Sequence, residues 1–208
     1  MNDVKQKIMN YCKFEPELCY ILLLISRKKE NEQQTESEKL GKARRYAIIN
    51  ESDVDEALRE FNLIAGMFPE TQYRIYISVN RRSLLKGMIE FQKRLLDAQF
   101  QLLNGNREIF TTIHRLGSEW KSILAQKECR NEKRFLFDVD FLNSTPDGIK
   151  AAEKFKNSVD KVSTIVYFGL SKNGYALVTE PFDVRKVELP NEVELKNDAY
   201  LYMGGMNY

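Results

Sequence analysis

Apolar side chains alternate at a period of two through YRIYISVN, residues 73–80. A few residues later the period lengthens to that of an α-helix, in SLLKGMIEFQKRLLDAQFQLL from Ser83 to Leu103. A chain that changes period in this way must lay helices on a sheet. The same change recurs along the sequence. RRYAII at 44–49 reads as a strand, and Ser52 then stands where an N-cap belongs, ahead of SDVDEALREFNLIAGMF. Val54, Leu58, Phe61 and Ala65 share one face of that helix, and Gly66 with Pro69 marks its end.

A second helix is expected through IFTTIHRLGSEWKSILAQ after the turn at LNGN. Residues 133–141 then form a strand, followed by a turn at NSTPDG, a helix near 149–159 and the strand STIVYFGL. The tight turn SKNG, the strand YALVTE, a short segment after Pro181 and two strands around 192–196 and 199–203 complete the chain. The run YILLLI at 20–25 fits a buried strand or a short helix equally. The expected fold is therefore α/β (α+β), with mixed β-sheets flanked by helices and no internal repeat.

A length of 208 residues suits one domain or one domain of two lobes. The reading adopted is a single domain over 1–208, with an N-terminal lobe at 1–130 and a second lobe at 131–208. KKENEQQTESEK at 28–39 contains no apolar residue, and a flexible loop is expected over 28–42. Basic and acidic side chains nearly balance, 32 against 30, so nucleic-acid contact would need local patches such as SRKK at 26–29, KARR at 42–45 and NRR at 80–82. Cys12, Cys19 and Cys129 lack the spacing of a zinc site or a disulfide framework, which suits a reducing interior. Glu15 and Glu17 precede an apolar run too short to cross a bilayer, so the sequence reads as cytoplasmic, with no membrane partner. No GxxxxGK[ST], GxSxG or HExxH motif is present.

KRFLFDVDF, residues 133–141, carries the chemistry. Strand parity puts Phe135, Phe137, Val139 and Phe141 on one apolar face, and Arg134, Leu136, Asp138 and Asp140 on the other. Two neighbouring carboxylates repel unless a cation compensates them. Mg²⁺ or Mn²⁺ supplies that compensation and leaves coordination positions open for phosphates. The plain alternative is a strand end with solvated aspartates. Asp198, in VELKNDAYLYMGG, is a carboxylate among apolar residues and calls for a partner, although Asn-Asp also suits a turn. His114, the lone histidine, and Trp120 read as helix surface and packing residues.

Taken in order, Ser78-Val79-Asn80-Arg81, FLFDVD, SKNGYALVTEPFD at 171–183 and LKND at 195–198 resemble the motifs of the archaeo-eukaryotic primase (primase-polymerase) superfamily, and of its short phage-type members in particular. The resemblance covers residues 73–205. It implies a two-lobed catalytic core in which Asp138, Asp140 and Asp198 hold two Mg²⁺ or Mn²⁺ ions and serve as the catalytic residues. It further implies that Ser171, Lys172, Asn173, Gly174 and Ala176 meet the triphosphate, and that Arg81 or Arg82 supports a phosphate or the template backbone. The implied partners are nucleoside triphosphates, a DNA template and a replicative helicase or polymerase. One position departs from the pattern: Ala176 stands where the family has histidine, and a methyl group neither donates a hydrogen bond nor carries charge. Three readings stay open: a DNA-directed nucleotidyltransferase, a non-catalytic nucleotide- or nucleic-acid-binding module of the same fold, and a metal-dependent phosphodiesterase.

Overall fold

The structure, a computed structural model, describes residues 2–26 and 43–207. The expected loop at 28–42, the basic run following Ser26 and Lys42 lie outside the described residues. The chain folds as α1 (Asn2–Tyr11), β1 (Leu18–Ser26), β2 (Ala43–Ile48), α2 (Glu51–Met67), β3 (Tyr73–Ser78), β4 (Arg82–Ser83), α3 (Leu84–Leu103), α4 (Ile109–Leu124), β5 (Phe135–Val139), α5 (Pro146–Asp160), β6 (Ile165–Leu170), β7 (Tyr175–Thr179), β8 (Val193–Asn197) and β9 (Tyr200–Met206).

Two sheets result, one ordered β2-β1-β3-β9 with the short β4 beside β1, the other ordered β6-β7-β5-β8. Every strand pairing described is antiparallel, which corrects the expectation of mixed sheets. The β1 run is apolar throughout because it is covered on both sides. Tyr20, Leu22 and Leu24 pack with α1 and α2, while Cys19 and Ile21 pack with Leu124 and Trp120 of α4. In the second sheet the run β5-α5-β6-β7-β8 follows the split β-α-β plan of a ferredoxin-like sheet, with a 3-10 turn at Val184–Lys186 in place of the second helix.

Strand parity in β5 divides the second sheet as the sequence predicts. Phe135, Phe137 and Val139 form a core with Ala152, Phe155 and Val159 of α5. Leu136 on the opposite face joins the core of the first sheet, together with Ala176 and Val178 of β7. The two sheets thus share apolar packing, and the polar end of that shared face stays open. α1 crosses the seam. Its Tyr11 hydroxyl donates to the Val79 carbonyl at 2.8 Å, and its ring meets Tyr167 of β6 edge-on at 5.7 Å.

The helix ends follow elementary capping chemistry, with two shifts from expectation. α2 is capped by Asn50, not Ser52. The Asn50 side chain accepts from the Asp53 N–H while Asp53 accepts from the Asn50 N–H, a reciprocal capping box. α5 starts three residues earlier than predicted, at Pro146, because Thr145 caps it by accepting from the Gly148 N–H. α3 begins after Ser83 as expected.

Cys12, Cys19 and Cys129 are free thiols. Burial pushes all three above their ordinary range, Cys19 up to about 12. Since the thiolate is the reactive form, iodoacetamide at pH 8 is expected to modify the native protein at less than about a hundredth of its rate on the urea-unfolded chain. Equal rates in the two states would contradict this burial.

Candidate functional site

The open end of the shared face is a cleft of about 480 Å³. Its wall on the second sheet carries Asp138 and Asp140 from the end of β5, Ala176 from β7, and Glu194 and Lys196 from β8. Ser171, Lys172 and Asn173 of the β6–β7 turn close one side, and Arg74, Tyr76, Tyr200 and Tyr202 of the first sheet face them. The first acidic motif and the glycine-containing turn, more than thirty residues apart in sequence, therefore meet as expected. They meet because β5 and β7 pair in antiparallel register, Asp138 opposite Ala176 and Val139 opposite Tyr175.

The turn is held by its own polar groups. The Gly174 N–H donates to Ser171 Oγ at 3.1 Å, and the Ser171 N–H donates to the Gly174 carbonyl at 3.0 Å. This is the local hydrogen bonding that makes serine a turn residue. On the facing wall Tyr76 and Tyr202 are register partners of β3 and β9, with ring centroids 5.7 Å apart. Arg74 donates to the Tyr76 hydroxyl at 3.2 Å. The cleft thus offers aromatic edges on one wall and charges on the other. Ala176 is buried in the floor of the cleft, on the face that parity predicts.

Asp198 is not in this cleft. Asn197 pairs with Phe135 while Glu194 pairs with Asp138. Asp198 therefore lies beyond the opposite end of β5, about 13 Å along the strand from Asp138. Its backbone takes φ 52 in the β8–β9 turn. Its carboxylate receives both terminal nitrogens of Arg82, at 2.9 and 3.2 Å, and the Asn80 amide at 3.1 Å. The structure does not bring the expected triad of Asp138, Asp140 and Asp198 together: the buried Arg82 guanidinium answers the charge of Asp198.

Arg81 and Arg82 also lie outside the cleft. Arg82 is fully buried against Asp198 and donates to the Gln126 carbonyl at 3.1 Å. Arg81 clamps Glu132, with its terminal nitrogen 2.9 Å from Oε2, and also meets Glu15. The hydrogen bonds that Arg81 donates to Glu132 hold its guanidinium above even its usual range. His114 is exposed on α4, and Trp120 packs edge-on against Phe91 at 6.0 Å.

Besides Arg74, Tyr76, Tyr200 and Tyr202 on the first-sheet wall, two charged residues of the second-sheet wall escaped the sequence reading. Glu194 faces Asp138 across the β5–β8 ladder, and Lys196 follows on the same face of β8. The polar residues at alternate positions of Val193-Glu194-Leu195-Lys196 were the available signal. The Lys196 ammonium contacts Asp138 Oδ2 and lies 3.2 Å from Glu194 Oε2. Partial burial opposes its charge, but hydrogen bonds to Asp138 and then Glu194 outweigh that burial, so its pKa lies above the ordinary lysine value. Among the described residues no group of three or more histidine, cysteine, aspartate or glutamate side chains is gathered closely enough to hold a metal. The residues present do not fit the two-metal site that the resemblance implies. No helix among the described residues is long and apolar enough to cross a membrane.

Compared with protein-family models, with curated proteins and with solved structures, the chain matches none.

Proposed function

We propose that the chain is a nucleotide-binding module with a primase-polymerase-like arrangement, taking the phosphates of a nucleoside triphosphate in the cleft between the two sheets. The observation that carries this reading is the convergence of Ser171, Lys172 and Asn173 with Lys196 on one side of a cleft whose other side presents Tyr76, Tyr200 and Tyr202. Ammonium groups and a polar turn suit anionic oxygens, and tyrosine faces and edges suit a base or sugar. Two features speak for binding over turnover: Asp198 is consumed by Arg82, and Ala176 supplies no proton donor.

Calorimetric titration of ATP and dATP tests the reading. Wild-type protein is expected to bind, and Lys172→Ala to weaken binding about tenfold, the equivalent of about 1.4 kcal/mol. Absence of binding heat with either nucleotide, in EDTA and in Mg²⁺ alike, removes the proposal.

A second reading, nucleotidyl transfer onto a DNA template, is favoured by one observation: Asp138, Asp140 and Glu194 all line this cleft. In it, these three carboxylates would have to close around Mg²⁺ or Mn²⁺ from their present separation, with Glu194 in the part first expected of Asp198. Incorporation of labelled nucleotide on a primed template, lost in Asp138→Ala and raised in Ala176→His, would select it. No incorporation by wild type or by Ala176→His leaves the binding reading alone.

A further inference from the structure

We propose that Lys196 takes the place of the divalent cation in this cleft, so that the site binds its anionic ligand without metal. The inference rests on the nucleotide-binding reading and adds its cation requirement. Asp138 and Glu194 face one another across the β5–β8 ladder, close enough for a single cation to serve both. The cation between them is the Lys196 ammonium, in contact with Asp138 Oδ2 and 3.2 Å from Glu194 Oε2. An ammonium has three donors and a single charge, so two carboxylates and one further acceptor satisfy it. A divalent hard cation entering the same space would have to displace it, because two cations at that separation repel.

The charges of the whole cleft agree. Its acidic side chains are Asp138, Asp140 and Glu194, and its basic ones are Arg74, Lys172 and Lys196. The acids are matched one for one by cations fixed to the chain. A phosphate ligand then meets ammonium groups already in position, and no metal is needed to cancel repulsion between phosphate and carboxylate. Because β8 holds Lys196 in the sheet, this cation is always present and does not vary with the free metal concentration. Lys196 acts here as a positioning and charge-compensating residue.

Manganese alone is the probe, read by the loss of the free-ion signal in electron paramagnetic resonance. Wild-type protein is expected to show no Mn²⁺ site, whereas Lys196→Met is expected to gain at least tenfold in Mn²⁺ affinity over wild type. Adding Asp138→Asn to that variant should abolish the gain. Wild type binding Mn²⁺ as tightly as Lys196→Met overturns the proposal, as does a variant that gains nothing or a gain that survives Asp138→Asn. The methionine keeps the stem of a side chain that is one-third exposed. Should it nevertheless fail to fold, Lys196→Gln replaces it, and a tight Mn²⁺ site in wild type overturns the proposal without any variant. In a second arm, ATP is titrated into wild type in EDTA and in Mg²⁺. Affinities within about threefold of each other support metal independence, and a loss of more than tenfold in EDTA overturns it. Failure of ATP to bind in both buffers removes the nucleotide reading and leaves the manganese arm to decide this one.

Discussion

Arg82→Met is expected to cost about 3–5 kcal/mol of stability, because it removes one partner of a buried ion pair and leaves the other charged. Arg82 has no solvent exposure, and its guanidinium grips both oxygens of Asp198. With the arginine gone, Asp198 keeps the Asn80 amide at 3.1 Å and has Arg130 only at 3.9 Å. The loss spreads beyond the pair. Asn80 uses its other end to accept from the Arg134 N–H at 2.7 Å, at the entrance to β5. The Arg82–Asp198–Asn80 chain therefore ties the turn after β3 and the β8–β9 turn to the strand that carries the cleft carboxylates. Asp198→Asn is the informative companion, since asparagine tolerates the left-handed backbone at this position whereas a branched residue would add strain of its own. Urea denaturation of the two single variants and the double variant gives the coupling energy, expected at about 1–3 kcal/mol for residues in direct contact. A cost below about 1 kcal/mol for Arg82→Met would place this cluster among pairs that contribute little, as exposed ion pairs do.

The same cluster marks the boundary of what the sequence could disclose. Parity within one strand is a local property, so the split between Phe135, Phe137 and Val139 on one face and Leu136, Asp138 and Asp140 on the other was readable from nine residues. The need of Asp198 for a partner was also readable, since a carboxylate among apolar residues costs free energy unless compensated. Which partner it takes depends on the β5–β8 register and on the turn that carries Asp198 away from Asp138, and neither is encoded within a short window. The same limit hid Glu194, whose position opposite Asp138 appears only once the ladder is known. It also hid the antiparallel sense of the sheets, where helices between strands suggested crossover connections. α1 is different. Val4, Ile8 and Tyr11 recur at helical spacing and are all buried, so the signal was present in the sequence and went unread.

Gly174→Ala is expected to cost about 1–3 kcal/mol, toward the upper end, and to weaken ATP binding at least tenfold. A Cβ at this position would lie 2.2 Å from the Val139 carbonyl oxygen, 3.1 Å from that of Phe141 and 3.2 Å from the Asp140 Cα. All three are backbone atoms of the β5 end, so no side-chain rotation relieves the clash, and β7 must move away from β5. Glycine is required here by close approach between strands, since its φ is not in the left-handed region. The displaced segment carries the Gly174 N–H that donates to Ser171 Oγ, and with it the turn that presents Lys172 and Asn173. Stability and binding should therefore fall together. Gly66→Ala provides the contrast: a Cβ there meets nothing within 4 Å, and the residue lies within α2. That variant is expected to be about 0.5–1 kcal/mol more stable than wild type, with ATP affinity unchanged. Denaturation and titration on the two variants separate a general effect of removing glycine from the contact at the β5 end. Gly174→Ala matching wild type in both measurements would mean that β5 and β7 do not approach closely where the cleft is built.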